Sequence, residues 1–315
     1  MQRVAISIGD LNGIGVQLAL ENHYTISNIV TPLYCIDNAM LQQVAKKLNL
    51  VVPNDFQTIE NIAPAFEIQA GEVCKESGAY AYASFVKSVK LAQDEKVDAI
   101  TTLPIHKKAW QKADIQYKGH TDALRDFFDA EAIMMLGCEK MYVALFTEHI
   151  PLQEVASRIN EKDLTRFLVD FYQKAKPRST VAVLGLNPHA GDDGVLGDEE
   201  PIIQKAIDNA TKILLKHNPS HLTSCASLFT KPMVPDVVFT PNVRKNYTYY
   251  IAMYHDQGLA PLKALYFDES INVSLNLPII RTSVDHGTAF DIAYKDEAKT
   301  LSYVNAVKYA KSLIN

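Results

Sequence analysis

Between residues 253 and 291 the chain sets side chains that bind anions, orient substrates or move protons: His255 beside Asp256, then Lys263, Asn272, Arg281 and His286. They are interleaved with apolar strand-like and turn-like pieces instead of lining one solvated face. That is how a site is built from loops on a rigid scaffold. Lys263 and Arg281 each adjoin an apolar run, GLAPL and SLNLPII, so both are expected to be only partly exposed. A half-buried cation needs an anionic partner. No acid stands at a spacing that would neutralise Arg281, so a phosphate or carboxylate ligand is expected there.

Three further positions share one context. His149, His189 and His255 each follow an apolar, strand-like run, at residues 141–146, 181–184 and 249–253. Neutral imidazole is a common metal ligand, and three of them with open positions form a catalytic divalent-metal site. The separations are long, and spacing alone leaves open whether the three converge. In Gly119-His120-Thr121, imidazole and hydroxyl could donate hydrogen bonds at a helix start; the alternative is that Thr121 merely caps that helix. The turn GDLNGIG at residues 9–15 lies between a strand and a helix. Its spacing is not G-x-G-x-x-G, so its glycines are as well explained by tight turning as by a ligand.

These residues need a scaffold that delivers strand ends to one place. Apolar runs at residues 4–8, 29–36, 97–102, 181–184, 226–229, 237–240 and 249–253 read as strands. Runs at 132–136 and 141–146 read as a hairpin. Helical periodicity marks residues 38–48, 76–96, 198–217 and 296–313. The β-α alternation predicts an α/β fold with a mostly parallel sheet covered by helices. A chain of 315 residues can hold one large or two medium domains. With net charge −5 it lacks the basic surplus of a nucleic-acid binder. Cys35, Cys74, Cys138 and Cys225 stand far apart, as reduced thiols of a cytoplasmic protein would. No opening stretch reads as a signal peptide and no apolar run is long enough to span a membrane, so no membrane partner is expected.

Taken together, GDLNGIG, TTLPIHK, GHTD, TEHIPL, GLNPHAGDDG, YHDQGLAPLK and INVSLNLPIIRTSVDHGTAFDIA resemble the 4-hydroxythreonine-4-phosphate dehydrogenase family of pyridoxal phosphate (vitamin B6) biosynthesis. The resemblance implies a two-domain α/β fold like that of isocitrate and isopropylmalate dehydrogenases, with a central cleft. We place the domains at residues 1–125 with 265–315, and 126–264. It implies a divalent metal (zinc, magnesium or cobalt) on His149, His189 and His255, the third from the other subunit of a homodimer with a shared active site. It also implies substrate contacts at His120, Thr121, Lys263, Asn272 and Arg281. Asp236 is implied as an acid near the site, and Asp285, His286 and Gly287 as part of the NAD or NADP side. The expected reaction oxidises 4-phosphohydroxy-L-threonine to a β-keto acid that decarboxylates to 3-amino-2-oxopropyl phosphate.

The chain departs from the family at Leu11, at Val16-Gln17, at Lys231 and at Val237. Those departures keep open a related dehydrogenase acting on another four-carbon phosphorylated or diol acid, or a non-catalytic phosphometabolite-binding protein. A phosphotransacetylase-like acyl transferase is a further rival, but it has no use for three strand-end histidines.

Overall fold

A computed structural model of the chain describes residues 1–217, 227–295 and 298–314. The strands are β1 (Arg3–Ser7), β2 (Thr31–Cys35), β3 (Ala99–Thr102), β4 (Ile133–Cys138), β5 (Met141–Leu145), β6 (Ala182–Val183), β7 (Tyr249–Ala252), β8 (Ile271–Leu275) and β9 (Arg281–Val284). Two compact units form, one from Met1–Ala132 with Asp268–Asn315 and one from Ile133–Phe267.

In the first unit β2, β1, β3 and β9 run parallel side by side, and β8 closes the row antiparallel to β9. β1 and β3 are buried almost throughout, as a parallel strand covered on both faces must be. Ile6, Val16, Leu18, Tyr34, Tyr80 and Tyr303 belong to one apolar cluster, and Ala5, Phe85, Trp110 and Leu124 to another. The helix Lys75–Gln93 starts where Cys74 Sγ accepts the Ser77 N–H. It buries Ala81, Phe85 and Val89, at helical spacing.

In the second unit β4 and β5 form the expected antiparallel hairpin, while β7 pairs parallel with both β5 and β6. Three parallel strands therefore end at the same edge. The helix His255–Tyr266 begins immediately beyond β7. At Gly258 a Cβ would come within 2.4 Å of Val143 and 2.9 Å of Ala252, so only glycine lets this helix lie against β5 and β7.

Two local expectations are corrected. Within residues 253–291, expected to alternate strand-like and turn-like pieces, the stretch 255–266 is instead a helix that tolerates Pro261 inside it. Residues 237–240, read as a strand, instead end one short helix, Pro235–Val238, and make the turn that leads into a second, Pro241–Arg244. Each has proline in its first turn, where the fixed φ favours a helix start and the missing N–H has no role. Cys35 and Cys138 are buried free thiols and Cys74 is partly buried. Cys225, the start of the strand expected at 226–229, and residues 296–297 of the expected closing helix lie outside the described residues. That closing helix runs Leu301–Ile314. No helix among the described residues is long and apolar enough to cross a membrane.

Candidate active site

Arg281 opens β9 and is 3% exposed. Its neighbours on β3 and β8 surround the guanidinium with neutral acceptors. Nε donates to Thr102 Oγ1 at 3.2 Å and Nη2 to the same oxygen at 2.8 Å. Nη1 donates to Ser274 Oγ at 3.0 Å and to Asn272 Oδ1 at 3.3 Å. Nη2 also reaches His120 Nδ1 at 3.3 Å. Among the described residues no carboxylate pairs with it. Burial pulls the guanidinium down to about 9, which still leaves it charged at neutral pH. A desolvated cation whose protein partners are all neutral is stabilised by an incoming anion.

His120 and Thr121 begin the helix His120–Phe128. Thr121 does not cap that helix; the preceding residue is Gly119, no side chain caps it, and the Thr121 hydroxyl instead meets Ser274 Oγ at 3.3 Å. Burial first, and the Arg281 charge second, hold the His120 imidazole well below its ordinary value. It is therefore neutral. Because Arg281 donates to Nδ1, the proton sits on Nε2, and that atom is buried without a partner among the described residues. An orphaned buried donor beside a buried cation suits an anionic or carbonyl oxygen.

The GDLNGIG turn is occupied by its own chain. Gly9 (φ 72°) passes so close to Pro104 O that a Cβ would approach within 2.4 Å. The Gly13 and Ile14 amides donate to Asp10 O and Thr288 O, and Tyr294 donates to Leu11 O at 2.7 Å. The tight-turn reading of these glycines is the one the geometry supports. Asp10, fully buried, accepts from the Asn12 amide and the Ser77 hydroxyl, and burial pushes its carboxyl up to about 6.

At residues 285–287, Asp285 N donates to Ser302 Oγ and His286 Nδ1 pairs with Gly287 O at 3.0 Å. His286 Nε2 is buried with no partner among the described residues, and a Cβ at Gly287 would meet nothing within 4 Å. A ring nitrogen without a protein partner leaves one hydrogen-bonding position for a ligand atom.

In the second unit the pairing of β5 with β7 continues past their ends through Phe146 N to Ala252 O and Thr147 Oγ1 to Met253 O. That zipper sets His149 beside His255, with ring centroids 5.6 Å apart. His255 Nδ1 donates to Asp256 Oδ1 at 2.6 Å. A carboxylate on one nitrogen leaves Nε2 with its lone pair outward, the state of a metal-ligating histidine. Gln257 ties this edge to β6, accepting from Met253 N and donating to Gly185 O, both at 2.7 Å. Glu200 accepts from the amides of Leu186 and Asn187 and so fixes the start of the loop carrying His189. His189 opens a run of left-handed residues, with φ of 54° at His189 and positive values through Asp193. Strain of this kind persists where the surroundings impose it.

His149 and His255 are thus brought together, whereas no three His, Cys, Asp or Glu side chains gather into a metal cluster among the described residues. Lys263 lies on the helix His255–Tyr266, its Nζ 5.4 Å from the Phe267 ring centre. Asp236 is exposed in the first turn of Pro235–Val238. Thr102, Ser274, Gln257 and Glu200 were not singled out by sequence. Hydroxyls in strands read as ordinary strand residues, and small polar side chains within largely buried strands could have signalled only Thr102 and Ser274; Gln257 and Glu200 lie in helices, where nothing marks them.

An α/β chain with a buried anion-seeking arginine and imidazoles past parallel strand ends belongs to the class of enzymes that act on small anionic substrates. Comparison with known proteins makes the class specific. Residues 28–310 match the family model described as pyridoxal phosphate biosynthetic protein PdxA. The 4-hydroxythreonine-4-phosphate dehydrogenase of Sulfurimonas denitrificans is 57% identical over 311 residues, covering 99% of this chain and 97% of that one. Its counterpart in Campylobacter fetus is 49% identical, covering 99% and 98%. The crystal structure of the Klebsiella pneumoniae 4-hydroxythreonine-4-phosphate dehydrogenase superposes with a TM-score of 0.80 at 28% identity, covering 99% of this chain and 98% of that one. The chain belongs to the pyridoxal phosphate biosynthetic protein PdxA family.

Proposed function

We propose that the protein is a metal-dependent, NAD- or NADP-linked dehydrogenase of 4-phosphohydroxy-L-threonine that works as a homodimer with a shared active site. The observation that carries this reading is Arg281, a buried cation with only neutral protein partners. Its surroundings suit a phosphate, and the dehydrogenases named above act on a phosphorylated hydroxy amino acid.

When bound, the metal supplies Lewis acidity at the reacting oxygen and the nicotinamide a hydride acceptor. His149, His189 and His255 would hold the metal, with Asp256 keeping His255 in its ligating tautomer. Asp285, His286 and Gly287 belong to the cofactor side. Arg281 offsets the charge of the anionic end; His120, Thr121 and Asn272 orient it, and Lys263 adds a second cation. Fixing both ends holds the hydroxyl-bearing carbon for transfer. Asp236 is the candidate acid-base group. Oxidation at that carbon leaves a β-keto acid, whose loss of carbon dioxide gives 3-amino-2-oxopropyl phosphate.

The test follows nicotinamide absorbance with 4-phosphohydroxy-L-threonine and added zinc, cobalt or magnesium, with and without chelator. Chelator-sensitive reduction is expected. Absence of reduction with every metal and both cofactors, in protein shown to be folded, would refute the assignment. Light scattering and sedimentation test the dimer. Activity regained on mixing a metal-ligand variant with a phosphate-side variant, each inactive alone, tests the shared site.

A further inference from the structure

A guanidinium has five N–H donors, and Arg281 has five contacts: two to Thr102, one each to Asn272, Ser274 and His120. Every donor is engaged inside its own unit. A phosphate could take a direct bidentate pair from Arg281 only by breaking two of these bonds. The bonds differ in length. Those to Thr102 and Ser274 include the shortest, 2.8 and 3.0 Å, whereas those to Asn272 and His120 are both 3.3 Å.

The acceptors are themselves donors. Ser274 Oγ, taking a hydrogen bond from Arg281, has its own proton to give, and its neighbour at 3.3 Å is Thr121 Oγ1. Thr121 then has a proton to give onward. His120 takes a bond at Nδ1 and presents a buried Nε2–H with no partner among the described residues. Two donors polarised by the same cation thus stand at successive positions of the first turn of a nine-residue helix, His120–Phe128. The amides of such a turn also favour an anion. Hydrogen bonds in series strengthen one another in a low-dielectric interior.

We propose that Thr102 and Ser274 are positioning residues of the anion site: Thr102 anchors the Arg281 fork, and Ser274 relays its polarisation to Thr121. A bound phosphate then takes hydrogen bonds from Thr121 and His120 that the Arg281 charge strengthens through these relays, beside the contacts already assigned to it. The inference rests on the reading of Arg281 as the counter-charge of the substrate phosphate.

The test is calorimetric titration of the full-length protein with inorganic phosphate, with thermal unfolding alongside. Ser274→Ala should raise the phosphate Kd about tenfold, and Ser274→Thr, which keeps the hydroxyl, should restore it. Because Ser274 and Thr121 act in one relay, Ser274→Ala with Thr121→Val should lose little more than either alone, a coupling that a merely structural role would not produce. If Ser274→Ala fails to fold, Ser274→Cys, a poorer donor of similar size, replaces it in the same cycle. Parent-like phosphate binding in the Ser274 variant, with binding lost in Arg281→Lys, would overturn the relay and leave the anion site standing. Additive losses would overturn it as well. Parent-like binding in both variants would overturn the relay and the anion reading together.

Discussion

The Arg281 cluster and the imidazole edge of β5, β6 and β7 are both strand-end sites, but they are finished to different degrees. Around Arg281 everything is supplied by one unit. The cation is 3% exposed and its donors are matched one for one. At the imidazole edge His255 is 36% exposed at its side chain, its Asp256 partner is 84% exposed, and His149 and His189 are exposed too. One centre is built into the core; the other is displayed. The built-in centre should therefore affect stability when altered, and the displayed one should affect ligand affinity.

The largest contrast sets Arg281→Ala against His255→Ala. Removing the guanidinium strands acceptors at Thr102, Asn272, Ser274 and His120 in a buried space, and each unsatisfied group costs roughly 1–3 kcal/mol. We expect Arg281→Ala to lose about 3 kcal/mol or more in urea unfolding, together with phosphate binding. His255→Ala should stay within about 0.5 kcal/mol of the parent, as surface changes do, while losing turnover and metal. Equal destabilisation by both would erase the distinction.

Asp10 sharpens the same point through pH. Its carboxyl is raised from 3.8 to about 6 by burial, so the folded state holds the proton more tightly than the unfolded one. The stabilisation is full below about pH 4 and is lost as pH rises through about 6. At 1.36 kcal/mol per unit this amounts to about 3 kcal/mol. Asp10→Asn should flatten the fall in stability between pH 4 and 6 and leave the variant the more stable at pH 8. An unchanged slope in urea titrations across that range would assign the pH dependence to other groups.

The difference between the regions also explains what was legible in the sequence. Strands such as β1, β3 and the β4–β5 hairpin announce themselves because wholly buried strands are continuous apolar runs. Charged and imidazole residues stand out against those runs, which is how Arg281 and the strand-end histidines were found. Their supports did not stand out. Thr102 and Ser274 look like common strand residues until β3, β8 and β9 are laid side by side, and Gln257 matters only once Met253 and Gly185 are known to be neighbours. Two helices stayed hidden in the sequence, His255–Tyr266, which carries Pro261 inside it, and Pro235–Val238, which proline begins.

A smaller effect is expected at Asp256. Its carboxylate touches His255 Nδ1 but lies in water, so Asp256→Ala should leave unfolding unchanged while weakening zinc binding about 10- to 100-fold, the usual effect of losing such a partner. Competition against a chromogenic chelator measures it. Parent-like zinc affinity would mean that His255 finds its ligating tautomer unaided.

The smallest effect separates two kinds of strain. His189 sits in a left-handed run at the displayed centre, and Tyr294 holds a φ of 62° in the other unit, away from the Arg281 contacts. For a bulky side chain that conformation costs on the order of 1–2 kcal/mol. Tyr294 has a visible compensation, the bond from its phenol to Leu11 O at 2.7 Å. That contact fastens the segment after residues 285–287 to the GDLNGIG turn. Tyr294→Phe keeps the ring and the strained backbone but strands the Leu11 carbonyl, so a loss of about 1 kcal/mol is expected. Tyr294→Gly loses the same bond but relieves the strain, so part of that loss should be recovered. If the glycine variant were the less stable of the two, ring packing and not the phenol bond would be what holds the turn.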